Sequence, residues 1–218
     1  MNVFAAVLWK DLLTEWRSRD RVVAMLMFSL LMVIAFHFSL PGGATAQTRH
    51  NAPGLLWVAY VFSAMLGLSR SFAIELENDA ISGLAMAPAD RGWMFMGKIA
   101  ANMVILGFVQ MVTAFVFAIV FEITLAPALI GIVALGSLGL CSVGTFFAAV
   151  SVRTRLREVM LPLLVLPFYV PVLSAAARAT TALIETGSVP FEPIQFLLVV
   201  DASYLIISFL LSDFVLDE

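Results

Sequence analysis

The sequence predicts an all-α, polytopic membrane protein with six transmembrane helices, an interfacial amphipathic helix at the N-terminus, and both termini in the cytoplasm. Three observations lead there. The 218 residues are 62% apolar and 12% charged, with mean hydropathy +1.03, against roughly half apolar and a quarter charged in a soluble domain. Six charge-poor runs are each long enough, or nearly so, to cross a bilayer. The cations crowd into alternate connections between those runs. One water-soluble core would leave most of the apolar surface in water, whereas lipid accommodates it. A net charge of −3 gives no sign of a nucleic-acid partner. Cys141, the one cysteine, excludes a disulfide framework or a thiolate metal site within one chain.

The charge-poor runs are Val22–Leu40, Leu55–Leu68, Ile99–Phe121, Leu129–Val150, Val159–Ala177 and Ile194–Leu211. They set spans of about 22–40, 53–70, 99–121, 129–150, 159–177 and 194–215 within one transmembrane domain, residues 1–218. The second run is short and borrows Arg70 to Ile74, or snorkels at its end. Glu122 and Pro127 separate the third and fourth runs, so a tight turn joins them. Ala44-Thr45-Ala46 resembles a signal-peptidase site. The segment before it and its apolar stretch are both longer than in a signal peptide, so the first run is expected to remain as a span.

Orientation follows from Lys10, Arg17, Arg19 and Arg21 before the first span, Arg70, Arg91 and Lys98 between the second and third, and Arg153, Arg155 and Arg157 between the fourth and fifth. Only Arg49 and Arg178 lie on the other side. Ten cations against two on alternating connections place the N-terminus, both basic loops and the C-terminus in the cytoplasm.

Residues 2–19 form an amphipathic helix rather than a span. Ala5, Leu8, Trp9, Leu12, Leu13 and Trp16 recur at helical spacing, with Lys10, Asp11, Thr14, Arg17 and Ser18 opposite. Such a helix lies flat at the cytoplasmic interface as an anchor, or offers a face to a partner. In the fourth span Gly131, Gly136, Gly139 and Gly144, beside Ser137 and Ser142, allow close helix approach. Pro162, Pro167 and Pro171 should kink the fifth. Asp201, about two turns into the sixth span, is a candidate intramembrane functional group because charge at that depth is costly. His37 and His50 are the only histidines, open to metal or heme ligation or to simple hydrogen bonding. No P-loop, zinc motif or nucleophile elbow occurs, so no catalytic residue and no metal site is assigned.

The connection "SRSFAIELENDAISGLAMAPADRGWMFMGK" sets Glu75, Glu77 and Asp79 beside an apolar series of Phe72, Leu76, Ile81 and Leu84, ending at Pro88. It either rests on headgroups or docks on a partner. Three carboxylates facing an anionic leaflet favour a partner with a basic groove.

The stretch from Asn51 to Lys98 resembles the corresponding segment of CcmB, the heme exporter protein B family of cytochrome c maturation. The matching residues are Ala52-Pro53-Gly54 and Trp57 at the start of the second span, an acidic stretch, Gly83-Leu84, Pro88, and Gly97-Lys98 before the third. "VRTRLREVMLPLLVLPFYVPVL" is similar to the family's basic loop and proline-rich fifth span, and the last helix resembles its counterpart with Asp201 at the acidic position. Ser69-Arg70 departs from the Glu-Arg of many members.

The resemblance implies the permease subunit of a type-2 ABC complex in the cell inner membrane, present in two copies. Its expected partners are the ATPase CcmA, CcmC and CcmD, and indirectly the heme chaperone CcmE. ATP would then bind the partner, and heme would be cargo rather than a resident cofactor. Residues 2–19 would be an elbow helix, and the 71–90 segment a coupling helix whose ATPase contacts are Phe72, Glu75, Leu76, Glu77, Asp79, Ile81, Leu84 and Pro88. Arg153, Arg155, Arg157 and Glu158 would form a second cytoplasmic contact. Two other classes remain: a scaffold of the same maturation system, and a secondary transporter, which should show inverted repeats and several polar groups at mid-membrane. An intramembrane enzyme would need paired catalytic groups, and none pair in the sequence.

Overall fold

The computed structural model describes residues 3–40, 46–77, 91–151 and 157–217, with side chains at 3–40, 50–71, 91–151 and 160–212. Seven helices account for nearly all of them: α1 Val3–Ser18, α2 Asp20–Ser39, α3 Ala46–Glu77, α4 Arg91–Val120, α5 Ala128–Ser151, α6 Arg157–Thr186 and α7 Phe191–Asp217. No strand occurs among the described residues. α2 to α7 each contain a stretch long and apolar enough to cross a membrane. Helices are the expected solution, because a backbone in lipid must satisfy its own polar groups.

The distribution of side chains is that of a membrane protein turned toward lipid. On α2, Val23, Met27, Leu31, Ile34 and Phe38 are exposed while Arg21, Met25, Ser29 and Val33 are buried. On α7 the buried stripe is Leu197, Asp201, Ser208 and Ser212, and Leu198, Val199, Ile206 and Leu210 face outward. Large apolar groups outside and hydroxyls inside invert the soluble pattern, so the chain is a multi-pass membrane protein.

α5 is the hub, packing against α3, α4, α6 and α7. Its glycines form the notches. A Cβ at Gly136 would strike the Trp57 ring, one at Gly139 would strike Asp201 and Val172, and one at Gly144 would strike the Tyr169 hydroxyl and Leu68. The close approach expected from the glycine series therefore has five occupants, from α3, α6 and α7. Gly131 borders open space and has no such role.

The helices outrun the apolar runs of the sequence. α4 starts at Arg91, eight residues before Ile99, and α6 continues to Thr186. Polarity ends an apolar run without ending a helix. Gly187, at φ +70° with its N–H 3.0 Å from the Leu183 carbonyl, is the breaker after α6. α3 likewise continues to Glu77, so the residues from Ser71 to Glu77 prolong the second span as helix. α6 runs unbroken through Pro162, Pro167 and Pro171, each removing the backbone donor to the carbonyl four residues back.

The turn between α4 and α5 is tight. Glu122 adopts φ +53°, and the Ile123 N–H reaches the Ala118 carbonyl at 3.0 Å, a left-handed helix cap built without glycine. The joint between α1 and α2 is a single residue, Arg19, at φ +54°. Its guanidinium lies 5.2 Å from the Trp16 ring centroid, and its Nε donates to the Trp16 carbonyl at 3.3 Å. Those contacts offset the cost of a left-handed, non-glycine residue, of order 1–3 kcal/mol.

Candidate functional site

The end of the bundle that carries α1 is cross-linked by buried polar groups. Arg21, 6% exposed, donates from Nη2 to the Asn102 side-chain oxygen at 2.7 Å. Asn102 in turn donates to Thr145 Oγ1 at 2.9 Å and accepts from Ser71 Oγ at 3.3 Å. One asparagine thus joins α2, α3, α4 and α5. Arg21 Nη1 also lies 3.8 Å from a Glu15 oxygen, whose other oxygen accepts the Val22 N–H at 3.2 Å. Arg21 Nε has no partner among the described residues.

α1 is held to the same junction. Lys98, buried on α4, sits 3.1 Å from Asp11 Oδ2. Beside it, a Cβ on Gly97 would lie 2.8 Å from the Phe4 carbonyl oxygen and 3.1 Å from Val7 Cβ. The Gly97-Lys98 pair therefore has a physical reason: glycine lets α1 approach and lysine pairs with the carboxylate brought there. The amphipathic reading of α1 needs one correction. Trp9, Leu13 and Trp16 are exposed, at 66%, 42% and 73%, as expected of an interfacial face. Asp11, assigned to the solvent face, turns inward with Glu15 because Lys98 and Arg21 wait there. A pure hydropathy count cannot distinguish a solvated carboxylate from one with a buried partner.

Ser71, the last side chain described before the acidic connection, belongs to this junction. Phe72, Glu75, Leu76 and Glu77 follow on the last turns of α3. Their side chains, and all of Asp79, Ile81, Leu84 and Pro88, lie outside the described residues. So do Arg153 and Arg155 and the side chains of Arg157 and Glu158, the latter two at the start of α6.

A second set of polar groups lies deeper. Trp57 is fully buried over Gly136, donates to Thr180 Oγ1 at 2.9 Å, and meets Tyr60 edge-on at 5.4 Å. The Tyr60 hydroxyl donates to the Gln110 carbonyl at 2.8 Å, and the Gln110 side chain accepts from Ser137. Ser29 and Thr113 pair at 2.8 Å. Asp201 is 2% exposed, ten residues into α7 and against Gly139, and neither carboxyl oxygen has a hydrogen-bond partner among the described residues. Counted from Ile194, where the apolar run begins, seven residues or about two turns of helix precede it.

His37 packs edge-on against Phe121 and Phe38, at 5.4 and 5.6 Å. His50 pairs with Glu185 at 2.6 Å. No group of three His, Cys, Asp or Glu capable of holding a metal ion occurs among the described residues. Sequence reasoning missed Arg21, Asn102, Asp11 and Glu15 as a unit. Asn102 and Gln110 inside an otherwise apolar third run were the available signal, since amides at that depth require partners.

The arrangement of Trp57 in its glycine notch and of Gly97-Lys98 against α1 gives a physical reason for these three of the residues the sequence singles out. The family model described as CcmB protein matches residues 2–216. The chain belongs to the CcmB family. Curated relatives named Heme exporter protein B include that of Paracoccus denitrificans, 32% identical over 195 residues, covering 88% of this chain and 87% of the relative. The Rhodobacter capsulatus protein is 31% identical over 176 residues, covering 79% and 80%. The Pseudomonas aeruginosa protein is 25% identical over 187 residues, covering 84% and 83%. In this CcmB protein α1 is held to the bundle through Asp11, Glu15 and the Gly97-Lys98 pair.

Proposed function

We propose that this CcmB protein is the membrane subunit of an ATP-driven complex of the inner membrane that serves heme export in cytochrome c maturation, with no catalytic site of its own. The name shared by its relatives, Heme exporter protein B, supports heme as the cargo. The observation that carries the mechanical part is the junction at Asn102. It ties α2, α3, α4 and α5 together at the root of the acidic connection, and Glu15 and Lys98 add α1. A displacement applied where α3 ends would be shared by five helices instead of bending one. That is the property a subunit needs if a separate ATPase drives it. CcmA is the expected ATPase, with CcmC, CcmD and a second copy of this chain as further partners and CcmE as the chaperone served.

In this reading the basic end faces the cytoplasm. Single cysteines at Gly43 and Ser188, in a background lacking Cys141, should react with an impermeant thiol reagent from outside, and one at Thr154 should not. Reaction of Thr154 alone would reverse the orientation.

The segment from Phe72 to Pro88 is the ATPase contact. Glu75, Glu77 and Asp79 would meet a basic groove, while Phe72, Leu76, Ile81 and Leu84 fill an apolar pocket beside it. Leu76→Asp should abolish copurification of the ATPase while the subunit still inserts. Reversing the charges at Glu75 and Glu77 should weaken the contact in a salt-dependent way. Retention of the ATPase and of its membrane-stimulated hydrolysis by the Leu76 variant would move the contact to the Arg153–Glu158 loop.

A further inference from the structure

In sequence α1 has two faces; in the structure it has three. Trp9, Leu13 and Trp16, at i, i+4 and i+7, form an exposed apolar stripe. Val7, Asp11 and Glu15 turn toward the bundle, the valine buried and the two acidic side chains only 12% and 11% exposed. Lys10 and Arg17, seven residues apart and so on one side, are exposed beside the stripe. We propose that this third side and the Arg19 joint bind anionic phospholipid headgroups, with the tryptophan stripe seated among the acyl chains next to them.

The sequence of α1 gives this surface no clear sign, since Lys10, Arg17 and Arg19 are nearly matched there by Asp11 and Glu15. Folding removes the acids. Asp11 offers one oxygen to Lys98 at 3.1 Å and the other to Lys10 at 3.3 Å, so one carboxylate is shared by two ammonium groups. Glu15 lies 3.8 Å from Arg21 and accepts the Val22 N–H. Lys10, Arg17, Arg19, Arg21 and Lys98 thus meet only Asp11, Glu15 and the exposed Asp20, and the surplus of positive charge is on the outside. A basic surface flanking an interfacial helix is what an anionic leaflet attracts.

Arg19 sets the depth. Its guanidinium is 5.2 Å from the Trp16 ring centroid and its Nε donates to the Trp16 carbonyl, which ties the cation to the level of the indole. Tryptophan settles where headgroups meet acyl chains, so the two Nη groups are at the height of the phosphates and can take one bidentately. A leaflet supplies an apolar layer for Trp9, Leu13 and Trp16 and a layer of phosphates directly beside it, in the order in which α1 presents its faces. That match favours lipid over a soluble protein as the occupant.

The test is tryptophan quenching in the full chain, reconstituted in phosphatidylcholine bilayers with a minor fraction of dibrominated phosphatidylglycerol or, in parallel, dibrominated phosphatidylcholine. Equal composition of the two leaflets makes the result independent of orientation. Trp57 is buried, so contact quenching reports on Trp9, Trp16 and Trp93. The anionic lipid should quench more strongly at the same fraction, and Trp9→Phe with Trp16→Phe should remove the difference. Arg17→Gln and Arg19→Asn should each lower the preference about fivefold, the effect of one cation beside an anionic surface, and salt should narrow it in the parent. Asparagine tolerates the left-handed conformation at 19, and Arg17 is outside that joint, so a loss shared by both variants is not a folding defect. Equal quenching by the two lipids, or a preference unchanged in both arginine variants, would overturn the proposal. Equal quenching together with loss of the ATPase from those variants would assign the surface to a protein instead.

Discussion

Gly136→Val should abolish the monodisperse, folded form of the protein, and Trp57→Ala should destabilise it by about 3–5 kcal/mol. Valine at 136 would occupy the volume of the Trp57 ring. Trp57 could not simply rotate away, because it is fully buried, bonded to Thr180 and flanked by Tyr60. Its displacement would leave the indole N–H without its Thr180 acceptor and separate α3 from both α5 and α6. In lipid no hydrophobic effect draws these helices back together, so van der Waals fit and interhelical hydrogen bonds carry the association. Gly131→Val, one and a half turns away on the same helix and bordering open space, is the control and should behave as the parent. Size-exclusion profiles and thermal melts of the purified variants read the difference. A folded Gly136→Val protein with the parent's melting point would show that the notch is dispensable.

Arg21→Met should be the most damaging single change at the basic end, costing about 3–5 kcal/mol, the usual penalty for removing one partner of a buried charge pair. It would leave Glu15 without its guanidinium and the Asn102 oxygen with only the 3.3 Å contact from Ser71. Lys98→Met acts on the neighbouring pair with Asp11, and exchange of the two, Lys98→Asp with Asp11→Lys, should recover part of the loss. Because Arg21 and Lys98 both secure α1 to the bundle, their effects should be less than additive when combined. The measurement is a double-mutant cycle on thermal stability, with protease accessibility of α1 as a second readout. Full additivity would mean that α1 is held by two independent contacts and that the junction is not one unit.

How much of this was written in the sequence depends on the physical signal each feature leaves there. Six spans and an amphipathic first helix were legible because hydropathy and helical period are local properties. The glycines of α5 announced close packing, yet their occupants, Trp57, Asp201 and Tyr169, come from α3, α7 and α6. No local pattern identifies those partners. Lys98 and Arg21 were legible as charges and counted toward orientation, but their actual place is inside the bundle. The bond from Arg21 to Asn102 spans 81 residues and the pair from Lys98 to Asp11 spans 87, beyond any local rule. Asp201 stood out as an acid in an apolar helix, and the structure adds its burial and its lack of hydrogen-bond partners among the described residues. His50 and Glu185, 135 residues apart, left no trace of their pairing.

The bond between Trp57 and Thr180 also bears on how the chain is made. The two residues are separated by 123 positions, and synthesis proceeds at about 5–20 residues per second. α3 would therefore wait roughly 6 to 25 seconds, at that pace, before α6 emerges to accept the indole proton. Its tyrosine waits a shorter time, for α4. During that interval the nascent helix presents two unsatisfied donors to lipid, an environment that cannot satisfy them. Insertion of this protein is thus a matter of timing as well as of hydropathy: a half-made chain has to be sheltered, by the insertion machinery or by provisional partners on its own helices, until the fifth span arrives to close the core.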